Sequence, residues 1–254
     1  MKALGILLCY NDGDMLEDAI NHLLENNHDL IVWDHGSDDE TPSILDRYRF
    51  IERKYIPRSF DFYNLYQTMS KNIIENYRQK YDWISWPDQD EILEGPDRKK
   101  SYFEHVEDVF KLDYNYIRFE NFNYWFTEKD DLSIVSPVKR IRYYSIFSGC
   151  SPRIRSWRAN VTNIRVFNHN YLEGKKYPKH FVLKHYSMRC YEQMMKRLKK
   201  DRVNLSRKGR NFHYEIMLKD IKKLLIKSDD LYFDDGKEDL LRRVKFDWKS
   251  FYGL

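Results

Sequence analysis

The chain has few cysteines and no long apolar run. Its 254 residues include three cysteines without a C-x-x-C pair, so neither a disulfide framework nor a zinc ribbon is indicated, and a reducing, cytoplasmic compartment is favoured. No apolar stretch approaches the roughly 20 residues that a membrane span requires. The short apolar opening at 3–9 runs directly into Asn11 and Asp12, and predicts a first strand rather than a signal peptide. Any membrane contact is therefore expected to be peripheral.

Two glycine-rich phosphate-binding motifs are also missing. The turn after the first predicted strand holds a single glycine, Gly13, so it lacks the G-x-G-x-x-G pattern, and no G-x-x-x-x-G-K-[ST] occurs anywhere. These absences argue against NAD-dependent enzymes and P-loop NTPases.

Charge is nearly balanced in sum, at +4, but unevenly distributed. Residues 11–46 contain eleven Asp or Glu and no Lys or Arg, whereas residues 189–227 contain thirteen Lys or Arg and four acids. The basic stretch could bind an anionic membrane surface that carries a lipid-linked acceptor, or it could bind a nucleic acid. Alternatively, it is simply the solvent-exposed side of two helices. The sequence leaves these three interpretations open.

Strand and helix patterns alternate in the first half, as in a parallel α/β sheet. We predict strands at 3–9, 30–33 and 49–56. Asp14-Met15-Leu16-Glu17 predicts a capping box that opens a helix to about Asn26, and Thr41 and Pro42 are the predicted N-cap and first residue of a short helix. A further helix is predicted from Phe62 to about Tyr81. A charged helix at 98–111 and antiparallel strands within 114–186 follow. Two amphipathic helices are then predicted, each with one apolar face and with Lys or Arg on the opposite side. The apolar face of the first consists of Tyr191, Met194, Met195 and Leu198, and that of the second consists of Met217, Ile221, Leu224 and Leu225.

A cluster of acids follows a strongly apolar and aromatic segment. Residues 81–87 lead into Asp88-Gln89-Asp90-Glu91. In extended backbone, Asp88 and Asp90 project to the same side and can share one cavity. Two close carboxylates suit a divalent cation such as Mn²⁺ or Mg²⁺, which can also hold a diphosphate. A solvated acidic turn is the alternative.

Polar residues also follow the first two strands, at an edge where open α/β sheets bind ligands. Asp34 can accept hydrogen bonds from a ribose or a base, or it can simply shape its turn. Both interpretations remain open.

Three segments in order resemble the signatures of family 2 glycosyltransferases: Tyr10-Asn11, residues 32–41 and residues 82–93. The segment 183–189, with the basic helix after it, is similar to the C-terminal region of the D-x-D-E subgroup. This resemblance covers roughly residues 3–205. It implies a GT-A fold, an α/β nucleotide-diphospho-sugar transferase fold with a Rossmann-like mixed sheet.

The resemblance also implies a domain division and a reaction. It predicts a catalytic domain at 1–188, with a nucleotide-binding half at about 1–97 and an acceptor half at about 98–188, and a basic helical extension at 189–254. The expected reaction moves a sugar from a UDP- or GDP-sugar to a hydroxyl of a glycan or lipid-linked saccharide. Bacterial surface polysaccharide biosynthesis, at the cytoplasmic side of the inner membrane, is the setting implied, and no nucleic acid is expected to bind.

Residue roles follow from the matched positions. Tyr10, Asn11 and Asp34 are expected to contact the donor nucleotide, while Asp88 and Asp90 hold the metal on the diphosphate. His185 is implied as a further metal ligand, although a structural role or replacement by His169 remains open. Lys184 and Arg189 suit the diphosphate because cations stabilise the charge of a departing nucleotide.

The catalytic base is the weakest match to the family pattern. Between Leu132 and Tyr191 the only acid is Glu173, so Glu91, Glu120 and Glu173 are candidates. Glu91 ranks first because it resembles the acid of the D-x-D-E form.

The aromatic cluster Phe122-Asn123-Tyr124-Trp125-Phe126 suits either an acceptor site or core packing. Two functions of other classes remain as alternatives, a sugar-phosphate nucleotidyltransferase and a basic nucleic-acid-binding protein without catalytic activity.

Overall fold

The computed structural model describes residues 1–146, 152–161, 173–200 and 226–244, with the backbone alone for residues 196–200. Ten strands and six helices lie in these ranges. The strands are β1 (Ala3–Cys9), β2 (His28–Asp34), β3 (Glu52–Tyr55), β4 (Trp83–Ser85), β5 (Glu91–Glu94), β6 (Tyr116–Trp125), β7 (Tyr143–Ile146), β8 (Arg153–Arg158), β9 (Phe181–Met188) and β10 (Tyr232–Phe233). The helices are α1 (Gly13–Glu25), α2 (Thr41–Leu45), α3 (Phe62–Asn76), α4 (Tyr102–Lys111), α5 (Pro137–Arg140) and α6 (Tyr191–Lys200).

The chain divides into two compact units. The large unit comprises residues 1–122, 146–185 and 237–254, and the small unit comprises residues 123–145 and 186–236. The division into a catalytic domain at 1–188 and an extension at 189–254 stays a prediction. The second predicted basic helix, at Met217 to Leu225, falls outside the described residues.

The large unit is built on a mixed sheet with the strand order β6-β8-β4-β1-β2-β3. The strands β4, β1, β2 and β3 are parallel to one another, whereas β8 runs antiparallel to both β4 and β6. β5 pairs with β9 in antiparallel fashion. The predicted change from parallel to antiparallel pairing along the chain is therefore observed.

Helices cover both faces of the parallel strands. Leu4, Ile6 and Leu8 of β1 pack in the cluster that includes the buried side of α3, while Leu7 and Cys9 pack in the cluster that includes α1. Successive strand residues point to opposite faces, so both faces of β1 are buried. This explains why the first strand is a continuous apolar run.

Several predicted boundaries shift. The prediction of Asp14 as the N-cap of α1 is wrong, because the helix begins at Gly13 with Asp12 at the cap. α2 begins at Thr41, one residue before the predicted start, and α3 ends at Asn76. α3 has a side-chain cap, in which Asp61 accepts a hydrogen bond from the backbone N–H of Asn64.

Candidate functional site

Three loops of the large unit follow the parallel strands β1, β2 and β4, and side-chain hydrogen bonds join them. Asn11 donates through Nδ2 to Asp38 at 2.6 Å and accepts through Oδ1 from the Asp38 N–H at 2.8 Å. The Gly13 N–H donates to Asp39, and Gln89 donates to Asp12. Because parallel strands end at the same edge of a sheet, these contacts bring the predicted nucleotide and D-x-D segments together.

Asp34 ends β2 and is buried. Its Oδ1 accepts hydrogen bonds from the Ser37 N–H at 3.0 Å and from the Ser37 Oγ–H at 2.6 Å. This contact shapes the turn, which also includes Gly36 at a φ of 71°. Turn shaping is thus one observed role of Asp34, and nucleoside binding stays a prediction.

Arg58, a cation outside the sequence motifs, lies over the ring of Tyr10. The guanidinium of Arg58, three residues beyond β3, lies 3.8 Å from the centre of the Tyr10 ring. Arg58 also places Nη1 2.9 Å from Nδ1 of His35, whose Nε2 lies 2.9 Å from the Phe60 carbonyl oxygen. These partners fit a neutral His35 that donates through Nε2 and accepts through Nδ1. Burial lowers the pKa of His35, and the charge of Arg58 lowers it further.

The acid cluster lies in a turn and not in extended backbone, which corrects the geometric basis of the prediction. β4 ends at Ser85 and β5 begins at Glu91, and the Glu91 N–H bonds back to the Asp88 carbonyl at 3.0 Å. Pro87 removes a backbone donor just after β4, where the chain leaves the ladder. Asp88 and Asp90 consequently have different partners.

Asp88 belongs to a buried ion cluster. Its Oδ2 accepts a hydrogen bond from Arg155 Nη2 at 2.6 Å, and its Oδ1 accepts one from the hydroxyl of Tyr66 at 3.2 Å. Tyr66 in turn stacks on Trp86, with ring centres 5.4 Å apart. Burial raises the pKa of Tyr66, and the Asp88 charge raises it further, so the phenol remains a donor at neutral pH.

Glu91 lies in the same cluster. Arg155 Nη2 donates to its Oε1 at 2.7 Å, Arg155 Nε lies 2.6 Å from its Oε2, and Arg153 Nη1 donates to Oε1 at 2.7 Å. Burial alone raises the pKa of Glu91, but the charges of Arg155 and Arg153 outweigh it and hold the pKa below its usual value. Glu91 is therefore a buried carboxylate in a charge-assisted network.

This environment argues against Glu91 as the general base, since a base needs reach to the acceptor oxygen and a pKa near the working pH. The assignment stays a prediction, and the alternatives are placed differently. Glu120 on β6 pairs with His180, whose Nδ1 lies 2.5 Å from Oε1, and Glu173 is exposed.

Asp90 faces His185, at 3.7 Å between Oδ2 and Nε2. The antiparallel register of β5 and β9 brings His185 opposite Glu91, next to Asp90 in the chain. A carboxylate and an imidazole form a donor pair that suits Mn²⁺. Asp88 is held by Arg155, and within the described ranges no three His, Cys, Asp or Glu side chains converge as a metal site. Asp90 and His185 are therefore the two donors whose geometry fits a cation, and the predicted metal site of Asp88, Asp90 and His185 stays a prediction.

Each of the two predicted diphosphate cations contacts another group of the protein. Lys184 points to the other face of β9 from His185 and pairs with Glu94, with Nζ 2.5 Å from Oε1. Arg189 belongs to the small unit, where it is buried and donates through Nη1 to the Tyr186 carbonyl at 3.1 Å. Their diphosphate role stays a prediction, and His169 lies outside the described residues.

The aromatic cluster at 122–126 is mostly core. Phe122 in the large unit and Tyr124 in the small unit are fully buried, and Tyr124 stacks on Tyr186 with ring centres 4.8 Å apart. Asn123 is also buried, and Trp125 and Phe126 are partly buried. Packing is therefore the role that the structure favours for the cluster.

Sequence reasoning missed the two arginines of β8. Arg153 and Arg155 alternate with Ile154 in a short strand after several aromatic segments, and neither belongs to a recognisable motif. The available signal was the pair of cations within the region predicted to form antiparallel strands, because charges that become buried need partners.

Comparison with known proteins identifies the family. Residues 6–189 match the family described as Glycosyl transferase family 2. Among curated proteins no relative matches.

Two solved structures resemble the chain weakly. The crystal structure of A197 from STIV is 13% identical over 74% of this chain and 83% of that chain, with a TM-score of 0.33. A candidate nucleotide-diphospho-sugar transferase from Desulfovibrio desulfuricans G20 is 12% identical over 89% of this chain and 100% of that chain, with a TM-score of 0.35. At these TM-scores the two structures add nothing to the assignment.

The family match covers the parallel strands, the acid cluster and His185. The α/β fold is the GT-A fold of nucleotide-diphospho-sugar transferases, as the sequence predicted. The chain belongs to glycosyl transferase family 2.

Proposed function

We propose that the large unit transfers a sugar from a nucleotide-diphosphate sugar to a hydroxyl acceptor. The observation that carries the proposal is the hydrogen-bonded joining of the loops after β1, β2 and β4 at one edge of the parallel sheet. Open α/β sheets bind nucleotides at this edge. Family membership supports the glycosyltransferase reaction over the nucleotidyltransferase and nucleic-acid alternatives.

The nucleoside is proposed to bind at Asp34, Tyr10 and Asn11. The turn holds the Asp34 carboxylate in place. Tyr10 directly follows Cys9, the residue of β1 that pairs with Asp34 of β2, so both lie at the same edge of the sheet. Arg58 adds a positive charge at Tyr10, where a nucleotide would need one. A UDP- or GDP-sugar suits such a site by its chemistry.

Asp90 and His185 are proposed to hold Mn²⁺ or Mg²⁺. When bound, the cation would neutralise the charge that builds on the leaving diphosphate. Arg155 binds Asp88, which lies two residues before Asp90 in the same turn.

The acceptor is proposed to be a hydroxyl of a glycan or lipid-linked saccharide. No helix among the described residues is long and apolar enough to span a membrane. A peripheral contact of the basic C-terminal region with anionic lipid, in the setting of surface polysaccharide synthesis, fits the thirteen Lys or Arg in residues 189–227.

The test is a calorimetric titration of UDP- and GDP-sugars into the wild type and into Asp90→Asn, with and without Mn²⁺. We expect Mn²⁺ to tighten donor binding in the wild type and to have little effect in Asp90→Asn. Asp46→Asn is the matched control, because the Asp46 side chain is 70% exposed and lies on the turn after α2. Binding that ignores Mn²⁺ and survives Asp90→Asn would refute the metal site, and absence of any sugar-nucleotide binding would refute the donor class.

A further inference from the structure

The small unit exposes an unusual cluster of aliphatic side chains. Leu132 is 57% exposed, Ile134 40% and Val135 84%. Three large aliphatic residues lie within four positions, and we call this exposed segment the 132–135 tip. Scattered exposed apolar residues are ordinary, but a contiguous cluster usually marks an interaction surface.

Hydrogen bonds fix the loop that carries this tip. The Ser133 N–H donates to the Asp131 carboxylate at 2.9 Å, and the Ile134 N–H donates to the Asp131 carbonyl at 3.1 Å. Arg140, which follows the tip in the chain, donates through Nη1 to the Ile134 carbonyl at 2.8 Å. The tip is therefore presented by an ordered loop, and the exposure of its side chains is a property of the fold.

The same arginine ties the loop to the basic helix. Arg140 donates through Nη2 to the Arg189 carbonyl at 2.7 Å, two residues before α6 begins. α6 then has Lys or Arg at four of its last five positions. An apolar tip and a basic helix thus belong to one hydrogen-bonded arrangement within the small unit.

The net charge of the small unit indicates the kind of surface that it binds. The sequence of the small unit contains seventeen Lys or Arg and eleven Asp or Glu, a net of +6, whereas the rest of the chain has a net of −2. Apolar side chains combined with neighbouring cations are the two components of binding to an anionic lipid surface.

We propose that the small unit docks on an anionic membrane surface, with the 132–135 tip inserted at the level of the lipid headgroups. This inference rests on the proposed function, because docking on a membrane would bring the enzyme to a lipid-linked acceptor. Docking itself involves no sugar transfer and is measured without a donor. Failure of docking and failure of the proposed reaction are therefore distinguishable.

The experiment is co-sedimentation of the full chain with vesicles of phosphatidylcholine alone and of phosphatidylcholine mixed with phosphatidylglycerol. We expect binding to the mixed vesicles, weakened by salt. The variant Leu132→Ser/Val135→Ser should bind roughly tenfold or more weakly, because it removes two apolar side chains from the lipid contact. A thermal melt of the variant checks that it is folded.

The matched control is Ile51→Ser/Leu112→Ser in the large unit, where the two side chains are 53% and 57% exposed. Its vesicle binding should equal that of the wild type. The proposal is overturned if the wild type ignores anionic vesicles, or if both double variants bind equally. It is also overturned if the 132–135 tip instead mediates a concentration-dependent association of two copies that Leu132→Ser/Val135→Ser abolishes in the absence of vesicles.

Discussion

The turn at Asp34 and the turn at Asp88 to Glu91 place acids at the same sheet edge in opposite environments. Asp34 is satisfied by neutral donors from Ser37, three residues away. Asp88 and Glu91 are satisfied by Arg155, which is more than sixty residues away. The acid of the first turn has local partners, whereas the ion pairs of the second turn form only when β8 lies beside β4.

The two turns differ in whether the protein itself neutralises the carboxylate charge before a ligand binds. A carboxylate held by neutral hydroxyl and amide groups keeps its negative charge for a ligand. A carboxylate paired with a buried guanidinium has already been neutralised, and its partner cannot be removed cheaply. Asp34 is thus better placed to bind a ligand than Asp88 and Glu91.

The largest expected effect comes from breaking the ion cluster. Glu91→Gln should lower the free energy of unfolding by about 3–5 kcal/mol, because it leaves the buried Arg155 without its main partner. Urea denaturation measures the loss. Glu75→Gln on the exposed side of α3 is the control, with an expected change within about 0.5 kcal/mol.

The same variant decides between two roles for Glu91. If Glu91→Gln is as stable as the wild type and loses only sugar transfer, the general-base assignment is supported and the ion-cluster interpretation fails.

An intermediate effect is expected at acidic pH, and it comes from His22 and His28 and not from the ion cluster. Burial lowers the pKa of both His22 and His28 to about 4. The unfolded chain takes up protons near its ordinary histidine pKa of about 6.5, and the folded chain does not, so stability falls as the pH drops from about 6.5 towards 4. The expected loss is roughly 1 kcal/mol per histidine at about pH 5.5.

Glu91 does not contribute to the loss between neutral pH and about pH 5.5, because its pKa is lowered in the folded chain and its carboxyl is ionised in the unfolded chain as well at these pH values. Urea titrations at neutral pH and at about pH 5.5 measure the effect. His28→Gln should remove about half of the pH dependence, and an unchanged pH dependence in this variant would contradict the assignment.

The smallest effect on stability is expected at Asp34. Asp34→Asn keeps an oxygen that can accept from Ser37, so the free energy of unfolding should change by about 1 kcal/mol or less. Nucleotide affinity should fall roughly tenfold, since a charged hydrogen-bond acceptor is lost. Calorimetry with UDP and GDP measures the affinity.

Ser37→Ala provides the complementary control for this turn. It removes the hydroxyl donor without removing the carboxylate, so it should reduce stability slightly and leave nucleotide affinity nearly unchanged. Equal losses of affinity in the two variants would indicate that Asp34 serves only to shape the turn.

The sequence by itself determined the parallel strands, their order along the chain and the family. Ala3–Cys9 is apolar at the positions that face both covering helices, and the turn after β2 is shaped by Asp34 and Ser37, which are three residues apart. Local hydrogen bonds and periodicity are encoded in adjacent residues, so a pattern can predict them.

Only the tertiary structure decided what each acid faces. Pairing of β8 with β4 brings Arg155 to Asp88, and pairing of β9 with β5 brings His185 to Asp90. Those strands are about 70 and 90 residues away in sequence, and the register of a sheet depends on packing across its whole face. The electrostatic state of a carboxylate depends on groups within a few ångströms, whatever their distance along the chain.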